Sequence, residues 1–266
     1  MVTVLICTAV VLSAVLLYLL LIFPSIKKRF SREFTEIPIA HRGVHIKGVP
    51  ENSLGAFTEA IRRVLPVEFD VRLTLDGVPV VFHDNDLRRM CGADVKLDSV
   101  TYKELESYSL EETTERIPTL SEVLELVDGK IPLLIELKGE DKSDVALKVS
   151  QVLRDYRGTV AVESFNPYHL MRFRRMAPSI PLGLLSGRRI GKTPFTAFFG
   201  SFAMNMLFNF LFRPDFIAFR YSDKLPFPIK LCRRFGVPVL GWTFLGEEVC
   251  AEYGDSFDGF IIDYTK

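Results

Sequence analysis

From Ile37 onward, short runs rich in β-branched and aromatic residues alternate with longer amphipathic stretches. Repeated strand–helix units of this kind build a parallel sheet covered by helices, so the alternation leaves few other architectures open. The expected strands are 37–41, 67–71, 78–83, 133–137, 159–163, 182–185, 216–218, 238–242 and 259–262. That is one more than an eight-stranded barrel holds. An Asp76-Gly77 turn lies between the second and third runs, so the extra run is expected to be half of a hairpin or a misread segment. Helices are expected over 53–64, 121–127, 143–155, 167–176 and 228–235, with Ser53 and Ser121 as N-caps. The fold class is therefore α/β, a TIM (β/α)8 barrel preceded by a single N-terminal transmembrane helix.

The N-terminal run 2–23 carries no charge. Twenty-two residues at about 1.5 Å each span roughly 33 Å, close to the hydrocarbon thickness of a bilayer. A cleaved signal peptide has a basic region before its apolar run and small residues at its cleavage site, and neither stands here. The expected organisation is a transmembrane anchor at 1–26, a basic juxtamembrane linker at 27–36 and a barrel domain at 37–266. Lys27, Lys28, Arg29 and Arg32 crowd the C-terminal flank of the span. Basic flanks stay in the cytoplasm, so the chain is expected to be a single-pass membrane protein with its barrel on the cytoplasmic side. Four scattered cysteines without the close spacing of a zinc or redox motif fit free thiols in a reducing compartment. The net charge is zero with both signs interspersed, which excludes a nucleic-acid partner driven by the whole-chain field. No protein partner is predicted.

Polar residues collect where the expected strands end, which is where a barrel of this class keeps its chemistry. The first strand closes on His41-Arg42-Gly43, and Pro50-Glu51-Asn52-Ser53 opens a helix. In Val67-Glu68-Phe69-Asp70-Val71, alternation sends Glu68 and Asp70 to one face and the apolar residues to the other. Glu136 ends another strand, with Lys138 on its side. Burying such carboxylates charged without a cation is costly, so one divalent metal is expected, and oxygen-only ligands favour Mg²⁺ or Ca²⁺. His83 ends Val80-Val81-Phe82-His83-Asp84, so two histidines converge on the mouth and can divide acid and base duties. A single histidine is more often structural, and only the constellation carries the catalytic reading.

These strings, taken in order with Glu68 through Gly77, resemble the signature of the glycerophosphodiester phosphodiesterase family. Ile117-Pro118-Thr119-Leu120, Ile135 to Lys138, Glu163-Ser164-Phe165 and Gly241-Trp242-Thr243 are similar to its later blocks, so the resemblance covers essentially 37–266. It implies that His41 and His83 are the acid and base and that Glu68, Asp70 and Glu136 hold the metal. It further implies that Arg42 and Lys138 grip the phosphate and that Trp242 packs on the alcohol end of the substrate. Glu51 would orient Arg42 or His41, and Asn52 would lie close to the metal. Phe244 and Leu245 depart from the family's usual aliphatic residue and asparagine, which removes a polar contact to glycerol. The implied activity is hydrolysis of glycerophosphodiesters or lysophospholipids to an alcohol and a phosphomonoester. The alternatives are a lysophospholipase D restricted to membrane lipids and a catalytically silent lipid-binding domain.

The stretch 193–212 holds seven phenylalanines. It reads either as a buried helix of the outer ring or, with its basic edges at Arg188, Arg189, Lys192 and Arg213, as a membrane-interfacial insertion at 188–213 that contacts the lipid bilayer. His45, four residues after His41, lies between Gly43 and Gly48 and before Pro50, so a helical two-histidine metal face is not expected there. His169 is expected to be a surface or packing residue, Asp84 to cap its loop, and Asp263 either to reach the mouth or to serve a structural hydrogen bond.

Overall fold

The computed structural model describes residues 1–25, 27, 29–139, 144–187 and 206–265. Eight parallel strands close into a barrel: β1 (Ile39–His41), β2 (Val67–Leu73), β4 (Leu133–Leu137), β5 (Val160–Ser164), β6 (Leu182–Ser186), β7 (Phe216–Arg220), β8 (Val239–Phe244) and β9 (Gly259–Ile262). Closure is made by β1, which pairs with β9 on one side and β2 on the other. The ninth strand, β3 (Pro79–Val81), pairs antiparallel with β2. The surplus run is thus the return arm of a hairpin, turned at Gly77 with φ +76°, a backbone conformation that suits glycine.

Ten α-helices are present among the described residues: α1 (Val2–Ile22), α2 (Glu33–Glu36), α3 (Leu54–Arg63), α4 (Arg88–Cys91), α5 (Tyr102–Leu105), α6 (Leu120–Val127), α7 (Val145–Val152), α8 (Pro167–Met176), α9 (Asn209–Phe212) and α10 (Phe227–Arg234). Ser53 caps α3 by accepting from the Ala56 amide at 3.1 Å. The cap of α6 is Thr119, not Ser121. Thr119 accepts from the Glu122 amide while Glu122 bonds back to the Thr119 amide, and this reciprocal box needs an acidic residue three positions on. Ser121 has no such partner at position 124, which is leucine.

Strand alternation sorts the core into layers. Phe69, Ile135 and Val162 face the helices, while Leu134, Ala161, Ala218 and Leu240 fill the barrel interior. The N-terminal end of that interior is stopped by Phe34 of α2, fully buried, with Phe30 stacked on Phe34 and Phe216 at 5.0 and 4.2 Å. A Cβ on Gly259, at the start of β9, would lie 2.5 Å from the Phe34 carbonyl, so the stopper meets the strand without room for a side chain. Arg29 pairs with Asp215 at 3.1 Å. Within the stretch expected to be a linker, 27–36, Phe30 and Phe34 therefore pack as the floor of the barrel. These apolar side chains find a closer home in the barrel than in water.

Candidate active site

The barrel's parallel register brings the polar strand ends to a common level. His41 lies beside Glu68, Asp70 beside Glu136, and Glu136 beside Glu163. Because β2, β4 and β5 alternate in phase, Glu68, Asp70, Glu136 and Glu163 all turn inward. They are almost wholly buried. Glu68, Asp70 and Glu136 can each offer an oxygen within 4.8 Å of the others'.

Two cations answer them. Lys138 Nζ lies 2.9 Å from Glu136 and 3.2 Å from Asp70, and Arg42 Nε lies 3.3 Å from Asp70. With all four carboxyls ionised, these two cations leave two negative charges, which one divalent cation would balance. Glu68 and Glu163 are pushed well above the ordinary carboxylate range by burial first, then by the neighbouring carboxylates. Glu136 is pushed up to about 7, burial outweighing the attraction of Lys138. Asp70 goes the other way: burial would raise it, but Lys138 and Arg42 hold it ionised well below its usual range. Asn52 donates to Asp70 at 3.0 Å, while its own Oδ1 and Glu163 Oε2 are buried without a hydrogen-bond partner. An oxygen-only donor set with excess negative charge and orphaned acceptors fits a hard divalent cation.

His41 and His83 each have their Nδ1 held by an aspartate. His41 Nδ1 lies 2.7 Å from Asp263 and its Nε2 lies 3.8 Å from Glu68, so the ring presents Nε2 to the acidic cup. His83 Nδ1 lies 2.6 Å from Asp84. Burial lowers the His83 imidazole below its usual value, and Asp70 opposes this. A carboxylate on Nδ1 selects the tautomer in which Nε2 is free to accept a proton. Asp263 also meets His45 Nε2 at 3.3 Å and is held well below its usual range by the two histidine hydrogen bonds, which outweigh its burial.

Arg42 adopts φ +56° and Gly43 φ +81°. A Cβ on Gly43 would sit 2.9 Å from that of Ala56, so glycine lets this turn press against α3 and swing Arg42 over the cup. Glu51 receives Arg42 at 2.7 Å and Arg89 at 2.6 Å, and Arg89 also donates to Asp84 at 2.6 Å. A continuous chain of ion pairs thus runs from Arg42 to His83. Glu51 orients Arg42 and not His41. Trp242 stands edge-on to Phe165 with ring centres 5.6 Å apart, its Nε1 buried without a partner. Phe244 turns outward and stacks on Tyr221 at 4.3 Å.

Of the ten residues given a role from the sequence, His41, Glu68, Asp70, Glu136 and Trp242 lie within strands, and Arg42, Glu51, Asn52, His83 and Lys138 lie in the segments that follow β1, β3 and β4. Sequence reasoning missed Glu163, although its alternation with Ala161 signals an inward carboxylate. It expected Asp84 only to cap its loop, whereas Asp84 meets His83 and Arg89; it left Asp263 open and did not single out Arg89, whose partner Glu51 lies 38 positions away. His169 is fully buried in α8. Most of the phenylalanine-rich stretch, 193–205, with Arg188, Arg189 and Lys192, lies outside the described residues.

A closed parallel barrel with buried carboxylates and two aspartate-held histidines at its C-terminal mouth defines a TIM-barrel hydrolase. The glycerophosphoryl diester phosphodiesterase family model matches residues 41–265, and the chain belongs to that family, whose members are phosphoric diester hydrolases. A provisionally named glycerophosphodiester phosphodiesterase, YhdW of Bacillus subtilis (strain 168), is 29% identical over 85% of this chain and 93% of its own length. The glycerophosphodiester phosphodiesterase of Caldanaerobacter subterraneus is 35% identical over 55% of this chain and 65% of its own. The glycerophosphodiester phosphodiesterase structure from Thermotoga maritima superposes with a TM-score of 0.64 at 28% identity, covering 86% of this chain and 94% of that one. A phosphodiesterase from Oleispira antarctica, solved with its product sn-glycerol-3-phosphate, shares the fold with a TM-score of 0.72 at 24% identity, covering 87% and 95%.

Two predictions follow from this geometry. A carboxyl raised in the folded state costs stability. Below its ordinary 4.5, Glu136 is protonated folded and unfolded alike, and the penalty grows until pH passes about 7. It then amounts to roughly 3 kcal/mol. In EDTA the thermal midpoint should therefore fall as pH rises from 5 to 8, and added Mg²⁺ or Ca²⁺ should restore it at pH 8 with little effect at pH 5; scanning calorimetry checks this. Asp263→Asn should remove the tautomer lock on His41, read in its ¹⁵N shifts, and lower kcat on the order of a hundredfold with KM little changed.

Proposed function

We propose that the chain hydrolyses glycerophosphodiesters, lysophospholipids among them, to an alcohol and a phosphomonoester. The observation that carries this is the acidic cup flanked by two histidines, each with one nitrogen held by an aspartate and the other left for proton transfer. His41 and His83 are assigned as the acid–base pair. One takes the proton of the attacking oxygen, from water or a neighbouring substrate hydroxyl, and the other protonates the departing alkoxide. Glu68, Asp70 and Glu136 are assigned as the ligands of one divalent metal, Mg²⁺ or Ca²⁺. Such an ion, when bound, supplies fixed positive charge beside the phosphoryl oxygens. Arg42 and Lys138 add their own charge to the phosphate, and carboxylates already pin both. Asn52 positions Asp70, Glu51 positions Arg42, and Trp242 offers its ring and free N–H to the alcohol end.

In this reading residues 1–26 anchor a catalytic domain at 37–266 in the lipid bilayer, single-pass, with the domain on the cytoplasmic side. The support is that α1 is long and apolar enough to cross a membrane and only 6% buried, so its apolar surface is not spent on a protein core. The basic flank supports the orientation. An anchored barrel with Leu245 where the resemblance expects an asparagine that contacts glycerol favours lipid substrates over freely soluble ones.

The full chain, purified in nanodiscs, should release alcohol from glycerophosphocholine or from lysophosphatidylcholine. Activity should disappear in EDTA, return with Mg²⁺ or Ca²⁺, and be lost in His41→Ala. Faster turnover of the lysolipid would support the lysophospholipase D assignment. Turnover of neither substrate with any divalent ion would favour the silent lipid-binding domain.

A further inference from the structure

The apolar helix is seated in the barrel wall rather than tethered to it. Ile22, its last residue, is fully buried, and its carbonyl accepts from Asn209 Nδ2 at 2.9 Å. Arg213 donates to the carbonyls of Leu20 at 3.0 Å and Phe23 at 2.6 Å, and the Ser25 amide donates to Pro214 O at 2.9 Å. A helix cannot satisfy its own last carbonyls. Here α9 and the turn after it satisfy those of α1. Tyr18 and Leu19 pack against the same core, whereas residues 1–17 are exposed. Wherever the end of α1 leaves hydrocarbon, α9 must lie within a turn or two of that level.

The surface around this seat is unlike the rest of the barrel. Outside α1 and the Met1 that precedes it, nine large apolar side chains are exposed among the described residues. Five of them, Phe23, Phe210, Leu211, Phe227 and Phe235, belong to α9, α10, the residue closing α10 and the residue leaving α1. Phe23 and Phe235 touch, with ring centres 5.2 Å apart. α10 buries Pro228, Ile229 and Cys232 and turns Phe227, Lys230 and Arg234 outward. α9 buries Asn209 and Phe212, and leaves Phe210 and Leu211 exposed at 43% and 38%. Such exposed apolar residues, clustered and edged by cations, mark a contact surface, and aromatic plus basic composition suits an anionic membrane interface.

We propose that the α9–α10 side of the barrel is a second membrane contact, lying on the bilayer that holds α1. Phe210, Leu211 and Phe235 enter the headgroup–acyl boundary, and Lys230 and Arg234 face anionic headgroups. The proposal rests on α1 spanning that bilayer. Two contacts, one a span and one a face, fix the tilt of the barrel above the lipid, which a single flexible tether would not.

The chain holds one tryptophan, Trp242, so added tryptophans report position. The full chain would be reconstituted in vesicles of phosphatidylcholine and phosphatidylserine, with or without brominated acyl chains that quench indole emission. Four variants are compared with the wild type: Phe210→Trp, Phe235→Trp, Leu12→Trp within α1, and Leu75→Trp. Leu75 follows β2, which lies across the barrel from β7 in the strand order. The proposal expects Leu12→Trp, Phe210→Trp and Phe235→Trp to lose roughly twofold or more of the added emission, with Leu75→Trp and the wild type unchanged. Quenching at Leu12→Trp alone would overturn the contact while leaving the span intact. An unquenched Leu12→Trp would sink the span and the contact together.

Discussion

The mutual repulsion of four carboxylates inside the barrel is the constraint on which the rest of the site depends. Glu68, Asp70, Glu136 and Glu163 cannot all be ionised at this depth against the charges of Arg42 and Lys138. Without further charge the cluster shares its deficit unevenly: Asp70, nearest both cations, stays ionised, while the three glutamates are held toward their protonated forms. The surrounding geometry follows from keeping this cluster in place. Arg42 is bent into a left-handed turn to reach it, Gly43 yields the space for that turn, and Glu51 and Arg89 lock the arrangement to the His83 loop.

Much of this was legible in the sequence because it is carried by local pattern. Alternation in β2 is enough to turn Glu68 and Asp70 the same way, and an Asp-Gly pair raised the hairpin arm as one of two readings of the surplus run. What escaped is carried by contacts between distant segments. Nothing near Asp263 announces that it will meet His41, 222 positions earlier, and Arg89 acquires its meaning only when α4 folds over the loop holding Glu51. The α6 cap was misplaced because serine was weighed without its partner at the third helical position. The floor of the barrel escaped for a related reason: Phe30 and Phe34 sit among charges that read as a linker, and only the closed barrel supplies the cavity they fill.

The two ends of the barrel are accordingly specialised. The C-terminal mouth concentrates unsatisfied polar atoms and raised carboxyls, the marks of a site whose stability has been traded for chemistry. The N-terminal end is closed by aromatic packing of Phe30 and Phe34, residues that follow α1 in the chain.

The most direct test of the central claim is calorimetric titration of the full chain with Mg²⁺ and with Ca²⁺ near neutral pH, beside Glu68→Gln and Glu136→Gln. The account predicts one divalent ion bound per folded chain, with affinity lowered tenfold or more on the order of the loss expected for a missing ligand in either variant. Absence of saturable binding, or binding that neither substitution weakens, would contradict it.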